Sequence, residues 1–378
     1  MTRTVLVTGA TGALGPHVLS ELLLDHGTAR VVALMRPDRY WNERCQHVRS
    51  TVSRLQSQEG PERAGARLEF VEGDLTAATL GLSANDAAAL SHDVTAIVHA
   101  GANTRFTAPL GVLRAINVGG TQRLLDFARR CRRLEQFLLV STVCVAGTRT
   151  GDIAEEVMPE RGSFVNDYER TKHEAELLVA GADLPVRIAR LSVCLGHRSG
   201  YVHRFGAVHQ CFRWLVRGLV PIVPGSEQSR LDLISTDVAA RWIARAMSQP
   251  VSAPKVHHIA AGAAAAPLSE FIQRAVDELR LHRTRWIEVP LITDAETFAL
   301  FEATVARSGD PLFARICSVA GSFFPMLLHP KVFQTRHAES VWGGPLPVED
   351  WLTTLRNVIA YGCARDWHGE RAAKEEYA

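Results

Sequence analysis

The stretch VLVTGATGALGPH, Val5 to His17, sets Gly9, Gly12 and Gly15 three residues apart, behind a β-branched apolar run and ahead of helical spacing. Glycine inside a strand or helix costs roughly 0.5–1 kcal/mol relative to alanine, so a cluster is expected only where the chain turns sharply or something approaches the backbone closely. A G-x-x-G-x-x-G loop between strand and helix meets both needs. Gly9 permits the tight turn, Gly12 lets a diphosphate reach the backbone, and Gly15 lets the helix pack on the strand. The first helical turn also leaves N–H groups unpaired and aimed at the phosphates. The stretch therefore predicts a dinucleotide site at the start of an α/β fold.

Working outward, short apolar runs alternate with helical spacing. Strands are predicted at 4–9, 30–36, 68–74, 94–102, 136–143, 185–192 and 257–262. Helices are predicted through 109–131 and 166–182, and a polar, arginine-rich connection runs to about residue 67. Apolar strands separated by helices imply a parallel sheet covered on both faces, a doubly wound Rossmann-type α/β fold. The alternation breaks after residue 195. Residues 1–262 are read as the nucleotide-binding domain, with 196–232 contributing to a substrate lobe that 263–378 completes.

The second strand ends VVALMR, placing Arg36 where an acid would favour a free ribose 2′-hydroxyl, with Arg39 three residues on. A guanidinium fork suits a 2′-phosphate, which favours NADPH over NADH, although Asp38 lies between the two arginines. Asp74, ending the third strand in EGDL, either meets the adenine edge or caps the helix that follows.

Tyr168 and Lys172, in YERTK, lie four apart on a predicted helix and share a face. With so few tyrosines and lysines, such a pair is expected by chance only about 0.05 times in a chain of this length. An ammonium beside a phenol is expected to lower its pKa towards a range useful for proton transfer. Ser141 and Thr142 end the fifth strand, where ligands collect in open α/β sheets, and strand alternation lets only one of them face the cofactor.

Composition narrows the classes. A net charge of +2 with scattered basic residues argues against a nucleic-acid partner. Seven cysteines, an odd number without C-x-x-C pairs, argue against a disulfide framework or a zinc site and for a reducing, cytoplasmic setting. Met-Thr-Arg runs straight into a strand, so no signal peptide is expected. The apolar run Pro311–Leu328 contains Arg315, Gly321 and Pro325, the wrong content for a membrane span. It reads as a buried helical hairpin, or as an acyl-channel wall or lid with peripheral membrane contact.

At this point the chain resembles an extended short-chain dehydrogenase/reductase, on TGATGALG, the Ser141-Thr142 strand end and Tyr168-x-x-x-Lys172. More narrowly, it resembles the fatty acyl-CoA reductase and thioester reductase branch, including the reductase domains of carboxylic acid reductases and nonribosomal peptide synthetases. VEGDLTAATLGLS (71–83), IVHAGANTRFTAPLGVLRAINVGGTQRLLDFA (97–128), LEQFLLVSTVCVAG (134–147), NDYERTKHEAELLV (166–179) and RLDLISTDVAA (230–240) carry this resemblance. It implies Thr142 as the catalytic hydroxyl, Tyr168 as proton donor, and Lys172 as partner to the tyrosine and the nicotinamide ribose. The implied cofactor positions are Gly9, Thr11, Gly12, Ala13, Leu14, Gly15, Arg36, Arg39, Asp74, Leu75, Ala100, Gly101, Asn117 and Lys172, with Asn117 structural or a relay. The implied reaction is NADPH-dependent reduction of an acyl thioester, on coenzyme A or a carrier protein, to an aldehyde or alcohol. Arg204, Arg213 and Arg217 are either contacts for a phosphopantetheine phosphate or a solvated helix face. The chain departs from the family at Gly101-Ala102, at Leu191 after Arg190, and at Cys144 and Ala146, none of which removes a catalytic group. Competing readings are a nucleotide-sugar epimerase or dehydratase, a carbonyl or hydroxysteroid dehydrogenase, and a non-catalytic NADP-binding regulator.

Overall fold

The computed structural model describes residues 3–59, 67–159, 162–251, 255–283, 286–348 and 350–367. Seven strands form one sheet: β1 (Arg3–Thr8), β2 (Thr28–Met35), β3 (Arg67–Glu72), β4 (Ala96–His99), β5 (Gln136–Thr142), β6 (Val186–Leu191) and β7 (Val256–Ile259). Their order is β7-β6-β5-β4-β1-β2-β3, and every pairing is parallel. The predicted doubly wound α/β sheet is thus present. Val5, Leu6 and Val7 are fully buried, as the central strand of a sheet covered on both faces requires.

The order reverses beside β1, between the crossovers leading to β2 and β4, and ligands of open α/β sheets gather at such a switch point. The loop after β1 enters α1 (Gly15–Leu24), and the loop after β4 carries Ala100 and Gly101. One face of the sheet packs on α1, α2 (Trp41–Glu59) and, later in the chain, the helix Thr236–Met247, whose Trp242 is fully buried. The other face packs on α3 (Ala84–Asp93), α4 (Gly119–Ala128) and α5 (Asp167–Ala180).

Two sequence readings are corrected here. The connection read only as polar and arginine-rich after β2 is largely α2, which buries Val48, Thr51, Val52 and Leu55 on one face. The remainder of that connection, residues 60–66, lies outside the described residues. The helix read through 109–131 is interrupted: Leu110–Leu113 is α-helical, Arg114–Val118 is a π turn, and α4 follows. Such widened turns insert a residue and are frequent at functional sites.

A second apolar core joins residues from 195–233 to others from 266–367, including Phe212, Phe271, Phe323, Phe324 and Trp367. The lobe is tied to the sheet domain by short parallel pairings, Lys331–Phe333 with Gly151–Ile153 and Leu233–Ile234 with Val193–Cys194. Helix Arg336–Trp342 crosses back onto the main core, where Trp242 Nε1 donates to the Ala338 carbonyl at 2.8 Å. The buried Glu155 carboxylate accepts the N–H groups of His258 (2.7 Å), His337 (2.5 Å) and Ala338 (3.1 Å), joining β7 to that helix. The apolar run forms helix Pro311–Ala320 and a short 3₁₀ segment, Phe324–Leu328. Ile316 and Ala320 are buried while Leu312 is 52% exposed, so the run is amphipathic rather than wholly buried. Among the described residues no helix is long and apolar enough to cross a membrane.

Candidate functional site

The glycine loop closes on itself. Gly12 N donates to Gly9 O at 3.0 Å, and Gly15 N to Gly12 O at 3.2 Å. Gly9 has φ +80°, and a Cβ there would lie 2.6 Å from the Ala100 carbonyl carbon and oxygen. A Cβ on Gly15 would lie 2.3 Å from Gly9 O, so Gly15 serves the closeness of loop and helix start. Gly12 differs: its only near neighbour would be Gly9 O, at 3.2 Å. Leu14 precedes α1 without a side-chain cap, and Pro16 opens the helix without an N–H to satisfy. An open backbone at Gly12 beside an uncapped helix N-terminus fits a dinucleotide pyrophosphate. Thr11 and Ala13 complete the rim, Ala13 exposed, and Leu14 packs on the main core.

Arg36 and Arg39 are exposed just beyond the end of β2. Asp38 is engaged elsewhere, with Arg44 at 3.1 Å and the Tyr40 N–H at 2.9 Å. Arg39 lies 4.7 Å over the Tyr40 ring. Burial alone would raise the Asp74 carboxyl, but bonds from Thr76 N and Oγ1, both 2.7 Å, and nearby Arg36 and Arg123 hold it below the usual range. Asp74 thus organises the start of its own loop while facing Arg36. That loop contains Thr79 and Leu80 at φ +51° and +61°, followed by Gly81 at +64°, three consecutive left-handed residues. Leu75 packs against Gly101 and Gly120, where a Cβ would lie 2.9 Å from its Cδ1 and 3.1 Å from its Cβ respectively.

Tyr168 lies in the first turn of α5, capped by Asn166, whose side chain accepts from Glu169 N at 2.9 Å. Thr142 ends β5, accepts from Cys144 N at 3.2 Å, and its hydroxyl neighbours the phenol, acting to lower its pKa. Ser141 points to the other face, where its buried hydroxyl has no partner. Only Thr142 therefore joins Tyr168. Lys172 is buried and donates to the Val140 carbonyl at 2.8 Å.

The electrostatics overturn one expectation. Burial drives the Tyr168 phenol well above its ordinary range, with Cys144, Glu169 and Cys194 adding to the rise and Thr142 opposing it. Burial also lowers the Lys172 ammonium to about 8, against the attraction of Glu176. The predicted lowering of the phenol by its neighbour is not found: desolvation of a neutral acid outweighs an ammonium committed to a backbone carbonyl.

Further side chains surround this cluster, most of them not singled out as site residues by the sequence. Phe106 stands edge-on to Tyr168 with ring centres 5.2 Å apart, and Phe323 of the lobe lies 5.8 Å beyond. Asn166 Nδ2 donates to the Ser322 carbonyl at 2.8 Å, so the lobe touches the cap of the tyrosine helix. Burial raises Glu169 to about 7 and lowers Lys331 to about 8, and Lys331 donates to Gly147 O (2.8 Å) and His329 O (3.0 Å). Asn117 sits in the π turn and is buried. Its Oδ1 accepts from Asn103 N at 2.8 Å, and its Nδ2 donates to Asn103 O and Thr171 Oγ1, both 3.1 Å. Of the three lobe-side arginines, Arg204 and Arg217 are exposed and Arg213 is half-buried.

A parallel sheet in this order, with a glycine loop at its switch point and a Tyr-x-x-x-Lys helix beside it, defines an NAD(P)-binding oxidoreductase of the extended short-chain dehydrogenase/reductase type. Residues 7–243 match the family described as Male sterility protein, and the chain belongs to that family. The carboxylic acid reductase of Segniliparus rugosus is 30% identical over 269 residues, 64% of this chain and 22% of that protein. The glycine betaine reductase ATRR of Emericella nidulans is 27% identical over 267 residues, 68% of this chain and 21% of that protein. The chain thus spans about a fifth of the length of these relatives. The terminal R domain from the myxalamid PKS-NRPS biosynthetic pathway superposes with a TM-score of 0.78 at 26% identity, covering 97% of this chain and 92% of that one. The UDP-glucuronic acid 4-epimerase of Bacillus cereus, in complex with NAD, reaches 0.64 at 16% identity over 97% of this chain and all of its own, a likeness of fold alone.

Proposed function

We propose that the protein is an NADPH-dependent reductase of acyl thioesters, releasing an aldehyde and a free thiol, with the substrate carried on coenzyme A or a carrier protein in the cytoplasm. The observation that carries the reading is the placement of buried Tyr168 and Lys172, one turn apart on α5, beside Thr142 at the carboxyl end of β5. Gly9, Thr11, Gly12, Ala13, Leu14 and Gly15 would hold the pyrophosphate. Arg36, with Arg39, would meet the 2′-phosphate, Asp74 and Leu75 the adenine side, and Ala100, Gly101, Asn117 and Lys172 the nicotinamide half. NADPH, when bound, supplies the hydride.

The thioester oxygen gains negative charge as its carbon is reduced. Thr142 and Tyr168 donate hydrogen bonds to that oxygen, and such preorganised donors stabilise charge better than water does. Tyr168 gives up its proton as the C–O bond becomes single, and the Lys172 ammonium offsets the phenolate that remains. The hemithioacetal then loses its thiol, leaving the aldehyde. A second round at the same donors would give the alcohol. Phe106 and Phe323 present an apolar wall next to Tyr168, which suits an acyl chain.

The test is NADPH oxidation against a panel of acyl thioesters, aldehydes and nucleotide sugars, with products identified by mass. Turnover on thioesters, a Tyr168→Phe variant losing it by at least about a hundredfold, and unchanged NADPH binding by that variant are expected. Turnover confined to nucleotide sugars or free ketones, or a Tyr168→Phe variant at the wild-type rate, would overturn the proposal.

A further inference from the structure

A line of buried side chains joins the nucleotide side of the sheet to the tyrosine helix. Gly101 N donates to Thr8 Oγ1 at 3.0 Å, and Thr8 Oγ1 lies 2.8 Å from His99 Nδ1. On the far side of the ring, His99 Nε2 lies 3.0 Å from Thr121 Oγ1, which donates to the Asn117 carbonyl at 2.6 Å. The Asn117 amide continues to Thr171 Oγ1, which donates to the Tyr168 carbonyl at 3.0 Å. Thr8, His99, Asn117, Thr121 and Thr171 are each no more than 2% exposed, so water offers them no substitute partners.

Proton accounting fixes the direction of this line. A carbonyl has no proton to give, so the single Thr121 hydroxyl proton lies on the 2.6 Å contact to Asn117. His99 Nε2 must therefore carry a proton and donate it to Thr121. Thr8 Oγ1 already accepts from Gly101, so its own proton is available to a bare Nδ1. Burial, with the Lys172 charge adding to it, lowers the imidazole to about 3, which agrees with a neutral ring.

We infer that His99 is a positioning residue for the proposed reduction: as the neutral Nε2–H tautomer it fixes Asn117, and through Asn117 and Thr171 it fixes Tyr168 relative to the loop at Gly101. The inference rests on the thioester-reductase reading for its catalytic consequence, but not for the tautomer. Thr8 and His99 are register partners on neighbouring strands, so the sheet itself holds one end of the line. At the other end, Asn117 also grips Asn103, at the start of the segment that carries Phe106. Loss of the ring would leave the buried Thr8 hydroxyl without an acceptor, remove the donor that holds Thr121, and free the π turn to shift. Displacements of about 1 Å at a reacting centre cost up to about a hundredfold in rate.

Two measurements test this on the full chain. In ¹⁵N-histidine spectra without nucleotide, His99 should show a protonated Nε2 and a bare Nδ1, unchanged between about pH 8 and pH 5; an Nδ1–H tautomer, or titration in that interval, overturns the inference whatever the enzyme reduces. In kinetics, His99→Leu should lower kcat by about 10- to 100-fold with NADPH affinity changed by less than about fivefold. His99→Gln, whose amide offers one acceptor and one donor, should recover most of that loss, which a purely space-filling role would not produce. Should His99→Leu fail to fold, Thr121→Val carries the same expectation with a smaller change of shape. Wild-type kcat in folded His99→Leu or Thr121→Val also overturns it. If no thioester is reduced by the unaltered protein, the reading of the function falls while the tautomer result still stands or fails by itself.

Discussion

Two glycines in one loop should respond to the same substitution in opposite ways. At Gly9 a methyl group meets φ +80° and carbonyl atoms of Ala100 at 2.6 Å. The left-handed backbone costs about 1–2 kcal/mol for a residue with a side chain, and forcing the strands apart adds about 1–3 kcal/mol. Gly9→Ala should thus lose about 2–5 kcal/mol, a large part of an ordinary domain's stability of about 5–15 kcal/mol. At Gly12 the same methyl meets one atom, Gly9 O at 3.2 Å, and no left-handed backbone, so stability should change by no more than about 1 kcal/mol. The methyl would, however, occupy the space proposed for the pyrophosphate. NADPH affinity should fall by at least about tenfold, or 1.4 kcal/mol. Urea unfolding followed by tryptophan fluorescence measures the first effect, and NADPH fluorescence titration the second. Equal unfolding midpoints for Gly9→Ala and wild type would refute the strain argument. A Gly12→Ala variant with wild-type NADPH affinity would refute the placement of the phosphates.

Three further outcomes are expected. Arg36→Ala should weaken NADPH by about tenfold while leaving NADH nearly unchanged, and equal losses for both nucleotides in parallel titrations would remove the 2′-phosphate assignment. His17, His99 and His258 are buried and lowered to about 3, and His209 to about 4, each chiefly by desolvation. The unfolded chain binds their protons first, so stability is held above an unfolded pKa near 6.5 and falls as pH drops below it, by about 2 kcal/mol per histidine at pH 5; a urea midpoint unchanged from pH 7 to pH 5 would contradict this. The Arg190–Glu176 pair is fully buried at 2.7 Å, and Arg190 also bonds His258 at 3.1 Å. Glu176→Gln, which leaves the guanidinium charge uncompensated, should cost about 3–5 kcal/mol, whereas Glu174→Gln at the solvent-facing Arg114 pair should leave the midpoint of the same unfolding assay nearly unchanged.

The sheet was legible because both of its faces are covered, which forces near-continuous apolar strands such as Val5–Val7 and Ile97–Val98. Helix α2 was not, because Val48, Thr51, Val52 and Leu55 are its few buried side chains and most of the others described are charged or polar. The π turn at Arg114–Val118 is set by a hydrogen-bond register that no residue type announces. The left-handed Thr79–Leu80 pair is likewise hidden, since neither residue favours that conformation and only Gly81 hints at it. In the lobe, pairings of two or three residues bridge long separations, as between Gly151–Ile153 and Lys331–Phe333, and local spacing says nothing about them. The spacing of Tyr168 and Lys172 placed both on one helix face. It could not say that Lys172 reaches Val140 instead, or that burial would dominate the phenol's pKa.

That last failure bears on the proton that the proposed reaction needs. A phenol lowered by an adjacent ammonium would stand ready as a base, suited to taking a proton from an alcohol. Burial leaves Tyr168 holding its proton at neutral pH, next to a second hydroxyl donor at Thr142. Two hydroxyl donors can stabilise an oxygen that is gaining charge, as the proposed reduction requires. Lys172, lowered only to about 8, still carries its charge at pH 7 and can offset the phenolate once the proton has left. Desolvation, the same effect that defeats the expectation drawn from spacing, thus keeps on Tyr168 the proton that the proposed reduction consumes; the same side chains serve the reverse step, so the ratio of reduced to oxidised nucleotide sets the direction.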